Sequence, residues 1–161
     1  MAFSLQVGIK GVKHSQAKLE AQRRRFDDMR PVLHWAADRV EADTEQRFKH
    51  EGAYDGVDHW QALSPRTILR KLNSPYKANA RKILVYTGAL KRGMKKRGRG
   101  HVRRIARKSA RVGVDSVRFP YASAHQDGTG VPRRVFLAWG PKANEEFKKK
   151  VRDYVLDGKM P

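Results

Sequence analysis

The sequence predicts an α+β fold, and three patterns in it predict that class. Phe3, Leu5, Val7 and Ile9 alternate with Ser4, Gln6 and Gly8. That period of two marks a short strand with one buried face. Leu33, Ala36, Ala37, Val40, Thr44 and Phe48 recur at helical spacing, with Arg39, Glu41, Asp43, Glu45 and Arg47 on the other faces. This is the signature of an amphipathic helix lying on a sheet. Phe147, Val151, Tyr154 and Val155 share one face of a second such helix near the end of the chain. The chain has 161 residues. That length suits one domain over residues 1–161, built as a long N-terminal helix packed on a sheet with a C-terminal helix added.

In chain order, Gly11 ends the first strand and Ser15 is the expected N-cap of the long helical segment. Ala17 to Arg25 is helix-forming and polar, with Leu19 and Phe26 as its main apolar contacts. Pro31 lacks an amide donor and clashes with the preceding turn. The helix therefore kinks there, or restarts with Pro31 in its first turn, and ends near Gly52. Tyr54 to Trp60 is a turn-rich loop. Ser64-Pro65 pairs an N-cap with a first-turn proline and opens a short helix through Leu72, which Asn73-Ser74-Pro75 breaks. Ile83 to Tyr86 is a short apolar run, and Thr87-Gly88 turns the chain.

Lys91 to Arg111 reads KRGMKKRGRGHVRRIARKSAR, inside a chain of formal net charge +20. Gly93, Gly98 and Gly100 argue against a stable helix. Mutual repulsion predicts a flexible basic arm over residues 91–111, either a mobile loop or a hairpin with ends near Met94 and Val102 to Ile105. Its candidate contacts to a polyanion or partner are Lys95, Lys96, Arg97, Arg99, Arg103, Arg104 and Arg107. Without interleaved aromatics the stretch does not predict base stacking. Val112 and Val114 return to strand alternation. Phe119 to Gly140 then holds a loop of small residues between an aromatic anchor and the apolar run Val135 to Trp139, expected to be a strand. Such a loop suits a protein contact better than a catalytic pocket, because it carries no paired acid and base. Pro141 opens the last helix, Glu145 and Glu146 are expected in its first turn where the dipole favours acid, and Gly158 ends it.

The remaining chemistry is sparse. A net charge of this size makes nucleic acid or an acidic protein surface the expected partner. With no cysteine, disulfides and thiolate metal sites are excluded. The first residues lack the apolar core of a secretory leader, and no window reaches the length of a membrane span, so assembly in a cytoplasm and no membrane partner are expected. His14, His34, His50, His59, His101 and His125 show no metal-ligand spacing. His34 and Asp38 lie one turn apart and read as an ordinary surface pair. Asp55, Asp58 and His59 read as turn formers, lacking the oxygen set of a calcium loop. No phosphate loop or nucleophile elbow is present. The expectation is a protein that is not an enzyme, with no catalytic residue, metal or cofactor. Trp60 and Trp139 are candidates for interface anchors or for the core, and Trp35 for the core.

The motifs also combine. Asp55-Gly56 and Trp60-x-x-Leu63-Ser64-Pro65-x-Thr67 come first. Ile83-Leu84-x-x-Thr87-Gly88-x-Leu90 and Tyr121-Ala122-x-x-His125-Gln126-x-Gly128 follow, then Pro132-x-Arg134-x-Phe136-Leu137. In this order they resemble the phage virion morphogenesis family, which includes tail completion proteins and the Mu-type virion morphogenesis proteins. The match runs from about Asp55 to Gly140, and the basic stretch from Lys91 to Arg111 departs from it. The resemblance implies a long helix on an antiparallel sheet. It also implies a structural protein of the neck or head-proximal tail end, completing the tail and enabling head-tail joining. Its implied partners are other phage neck and tail proteins, further copies of itself in a ring (six would match a tail tube), and DNA touched non-specifically in the channel. The implied location is the virion, with assembly in the host cytoplasm. Trp60, Tyr121, His125, Gln126 and Arg134 are the candidate subunit-interface residues. The alternative from charge alone is a basic nucleic-acid-binding module.

Overall fold

A computed structural model describes residues 11–160. The strand expected over Phe3 to Ile9 lies outside them. Six α-helices and one antiparallel hairpin make up the regular structure of the described residues. Helix α1 spans Val12–Asp27 and α2 spans Arg30–Lys49. The break falls at Asp28-Met29, and Pro31 sits at the start of α2, so the restart is realised rather than the kink. Ser15 is not the N-cap of α1: the helix begins one turn earlier, after Gly11 at φ 88°. Helix α3 (Pro65–Leu72) has the expected cap, with Ser64 Oγ accepting from Thr67 N at 3.2 Å. After a short 3-10 turn at Lys77–Asn79 comes α4, Ala89–Gly93.

The basic stretch is an ordered hairpin joined to α4, and not a flexible arm. Strand β1 (His101–Ile105) pairs with β2 (Ala110–Val114) in register, from His101 against Val114 to Ile105 against Ala110. Repulsion fails to melt it because α2 supplies the opposite charge, described below. The glycines here allow close approach instead of flexibility. A Cβ on Gly98 would lie 2.0 Å from Arg92 O, and one on Gly93 would lie 2.7 Å from the Phe119 ring.

Helix α5 (Tyr121–Asp127) and α6 (Pro141–Asp157) complete the fold. The hairpin packs against α2, and α6 packs against both α1 and α2. The α+β class is as expected, with two N-terminal helices in place of one long helix and a two-stranded antiparallel sheet among the described residues. The core gathers Phe48, Trp60, Ile83, Leu90, Met94, Phe119 and Phe136. The Phe48 and Trp60 rings meet edge to face at 5.4 Å. Trp35 is half-buried, with Lys150 Nζ 6.0 Å from its ring centre.

Two further expectations are corrected. Val135 to Trp139 joins no strand ladder among the described residues. Its backbone is instead held by side chains, as the Gln126 amide shows below. Glu145 and Glu146 lie beyond the first turn of α6. The acid at that helix start comes from far away in the chain. Asp55 accepts from Lys142 N at 3.0 Å and Ala143 N at 3.3 Å. The carboxylate thus takes up two otherwise unpaired amides and opposes the positive end of the helix dipole.

Candidate partner-binding surfaces

The hairpin is tied down by a stripe of acids. Asp38, Glu41 and Glu45 are three and four residues apart, so they share one face of α2. Arg103 Nη1 donates to Asp38 at 2.7 Å and to Glu41 at 2.8 Å, and its Nη2 donates to the His34 carbonyl at 3.2 Å. His101 Nε2 lies 3.2 Å from Glu41. Lys96 reaches Asp38 at 3.4 Å and Lys95 reaches Glu45 at 2.9 Å. Beyond the stripe, Lys108 meets Asp27 at 3.0 Å. Burial opposes charge on Arg103, but its hydrogen bonds to Asp38 and Glu41 prevail and hold its pKa above the ordinary arginine value. The same guanidinium holds the Asp38 carboxyl below the ordinary carboxylate range. Hydrogen bonding to Lys95 lowers Glu45 in the same way.

The predicted basic contacts therefore divide. Lys95, Lys96 and Arg103 are engaged with α2. Arg97, Arg99, Arg104 and Arg107 are exposed. Arg104 stands directly across the ladder from Arg111, also exposed, so two cations share one outward position of the sheet. Like charges placed opposite each other destabilise a sheet. Arg107 contributes its carbonyl, which accepts from Met29 N at 2.8 Å and fastens the hairpin to the α1–α2 junction. The acid stripe was readable in the sequence as spacing along α2. What was missing was the knowledge that the basic stretch lies across it.

The interface candidates divide as well. Trp60 is 3% exposed, and its Nε1 donates to Val135 O at 2.9 Å. Arg134 is buried, and its Nε and Nη2 donate to Gln61 O at 3.2 and 3.1 Å. Gln126 acts as a stand-in strand. Its Oε1 accepts from Phe136 N and Leu137 N, both at 3.2 Å, and its Nε2 donates to Leu137 O at 2.6 Å. All three side chains brace the interior of the fold, and Arg134 also lines the groove described next. Tyr121 is exposed and meets His125 edge to face at 6.5 Å. His125 is half-buried, and burial followed by the charge of Arg134 lowers its pKa. Trp139 is partly exposed and packs edge to face on Phe147 at 5.6 Å.

A groove of about 740 Å³ lies between α3, the turn at residues 84–90, α5 and residues 131–134. Leu63, Leu84, Val85, Leu90 and Val131 supply much of its apolar lining. Lys71 and Arg134 also line it, both buried and both with pKa values lowered by desolvation. Lys71 Nζ donates to Lys82 O at 2.7 Å and Val85 O at 2.9 Å. Sequence reasoning missed Lys71, because a lysine on a short polar helix reads as solvated.

No group of three or more potential ligands among histidine, aspartate and glutamate occurs among the described residues. No helix of the described residues is long and apolar enough to cross a membrane. Comparison with family models, curated proteins and solved structures found no match to this chain.

Proposed function

We propose that this chain is a structural protein of a tailed phage, acting at the neck or head-proximal tail end and assembling as a ring around the DNA channel. One observation carries the reading: the motifs behind the family resemblance fold into a single braced unit. Asp55 caps α6, Trp60 and Arg134 tie the 60–61 and 134–135 segments together, Ser64 caps α3, and Gln126 holds residues 136–137. Their polar atoms are spent on backbone, which is the economy of a scaffold and leaves no acid and base poised over a cleft. The role fits the charge as well. A subunit of net charge +20 is relieved by DNA or by acidic neighbours in an assembly.

Electron microscopy of intact particles tests this reading. The protein is expected as a closed ring at the junction of head and tail. Its absence from purified virions, with a monomer alone in sedimentation, rejects the proposal.

A second reading, a nucleic-acid-binding module, is favoured by the exposed Arg104 and Arg111 pair. It requires the free protein to hold duplex DNA with a steep salt dependence. Binding that is weak and unchanged by salt rejects it.

A further inference from the structure

The groove beside α3 has a charge pattern at odds with its apolar walls. Arg70, Lys71, Arg134 and His125 line it, and no aspartate or glutamate does. Arg134 has only carbonyl partners, and Lys71 likewise donates to two carbonyls. Their charges are buried with no carboxylate in hydrogen-bond reach among the described residues. Cations held on carbonyls at a desolvated floor, with Glu51 acting on Lys71 only through longer-range attraction, draw an anion more strongly than surface lysines do.

The apolar surface continues past the groove. Tyr86 lines it and meets Tyr76 edge to face at 5.3 Å, and both rings are exposed. Tyr121 and Val131 line its other side and are exposed too. Exposed aromatic and aliphatic groups around a concave centre form the pattern of a protein-binding surface. The footprint exceeds what one small anion would cover. Leu84 holds φ at 54°, a left-handed conformation costly for a residue with a side chain, and it forms part of the groove wall.

We infer that this groove is a docking site for an acidic, apolar segment of a partner protein, its leucine- or phenylalanine-like side chains filling the cleft and its carboxylates facing Arg70, Lys71 and Arg134. The inference stands on the groove itself and does not depend on the phage reading. The hairpin arginines take no part in it, so one surface serves acidic protein and the other remains free for a polyanion.

Fluorescence polarisation of two labelled hexapeptides at physiological salt tests it. One alternates aspartate and glutamate with phenylalanine and leucine; the other carries lysine in place of each acid. The acidic peptide is expected to bind at one site per chain, and the basic one not to bind. Val131→Glu at the groove mouth should weaken the acidic peptide at least about tenfold. Val117→Glu should leave its affinity unchanged, because Val117 is 89% exposed and outside the groove. Equal loss from both variants overturns the proposal, since it means general charge attraction. Binding of oleate or anilinonaphthalene sulfonate at the groove without the acidic peptide overturns it too, by assigning the site to a small amphiphile. Circular dichroism melts of both variants establish that they fold. Should Val131→Glu not fold, Arg70→Glu on the exposed side of α3 carries the same expectation.

Discussion

Asp55 shows how much one side chain organises here. It lies in the left-handed region at φ 43° and reaches across the chain to cap α6. Gly140 is required beside it, because a Cβ there would fall 2.2 Å from the carboxylate. Asp55→Ala is expected to cost about 1 kcal/mol, the usual loss for an N-cap, and Asp55→Asn less, since an acceptor remains. Urea denaturation reads the difference, and an unchanged midpoint for Asp55→Ala would refute the capping role. From the sequence, Asp55 was legible only as a turn former with Gly56. Its partner amides are 87 and 88 residues away, so local pattern carries no trace of them.

At the scale of elements, the contact of the hairpin with α2 is electrostatic in a way that one stretch of sequence cannot display. Arg103→Glu places a third acid among Asp38 and Glu41. It should undock the hairpin and lower the melting temperature by several degrees, about what a loss of 1–2 kcal/mol produces. Glu41→Lys in the same chain should recover part of that loss, and a double-mutant cycle showing no coupling would rule out the tie. The contact also predicts acid sensitivity. The folded pKa of Asp38 lies below its ordinary value of 3.8, so the native state binds fewer protons than the unfolded chain near that pH. The stabilisation is present above 3.8 and is lost as pH falls through the lowered folded value. Protection factors of the β1 and β2 amides, corrected for the intrinsic exchange rate at each pH, should fall in that window, and Asp38→Asn should remove the change. Arg104 predicts the reverse sign. Arg104→Glu faces Arg111 with an opposite charge, so it should stabilise the ladder by a few tenths of a kcal/mol. It should also weaken binding to duplex DNA and flatten the salt slope, by about one unit or more. A gain in stability together with loss of polyanion binding would mark the outer face of the hairpin as functional rather than structural.

Over the whole molecule, the charge is arranged more than it is repelled. Lysines and arginines number 36 against 16 aspartates and glutamates. The scarce acids are concentrated where they hold elements together: Asp38, Glu41 and Glu45 beneath the hairpin, Asp55 at α6, and Asp28 against Arg30 where α1 meets α2. Arg30 hydrogen-bonds Asp28 and pulls its pKa down to about 2. Much of the positive excess faces outward, while Arg47, Lys71 and Arg134 are buried. Local pattern was enough for α2, α3 and α6, since period, Ser-Pro starts and glycine stops are written within a few residues of each element. The sequence by itself also determined the class of the fold, the basic excess and the strand alternation at Val112 and Val114. Its hairpin alternative put the ends near Met94 and Val102 to Ile105, whereas the ladder pairs His101–Ile105 with Ala110–Val114. Only the tertiary structure decided that the basic stretch is ordered, that Trp60, Gln126 and Arg134 brace the interior, and that a groove with a cationic floor lies beside α3. Each of these rests on charges and amides brought together from distant parts of the chain, and such pairings exist only after the backbone has closed on itself.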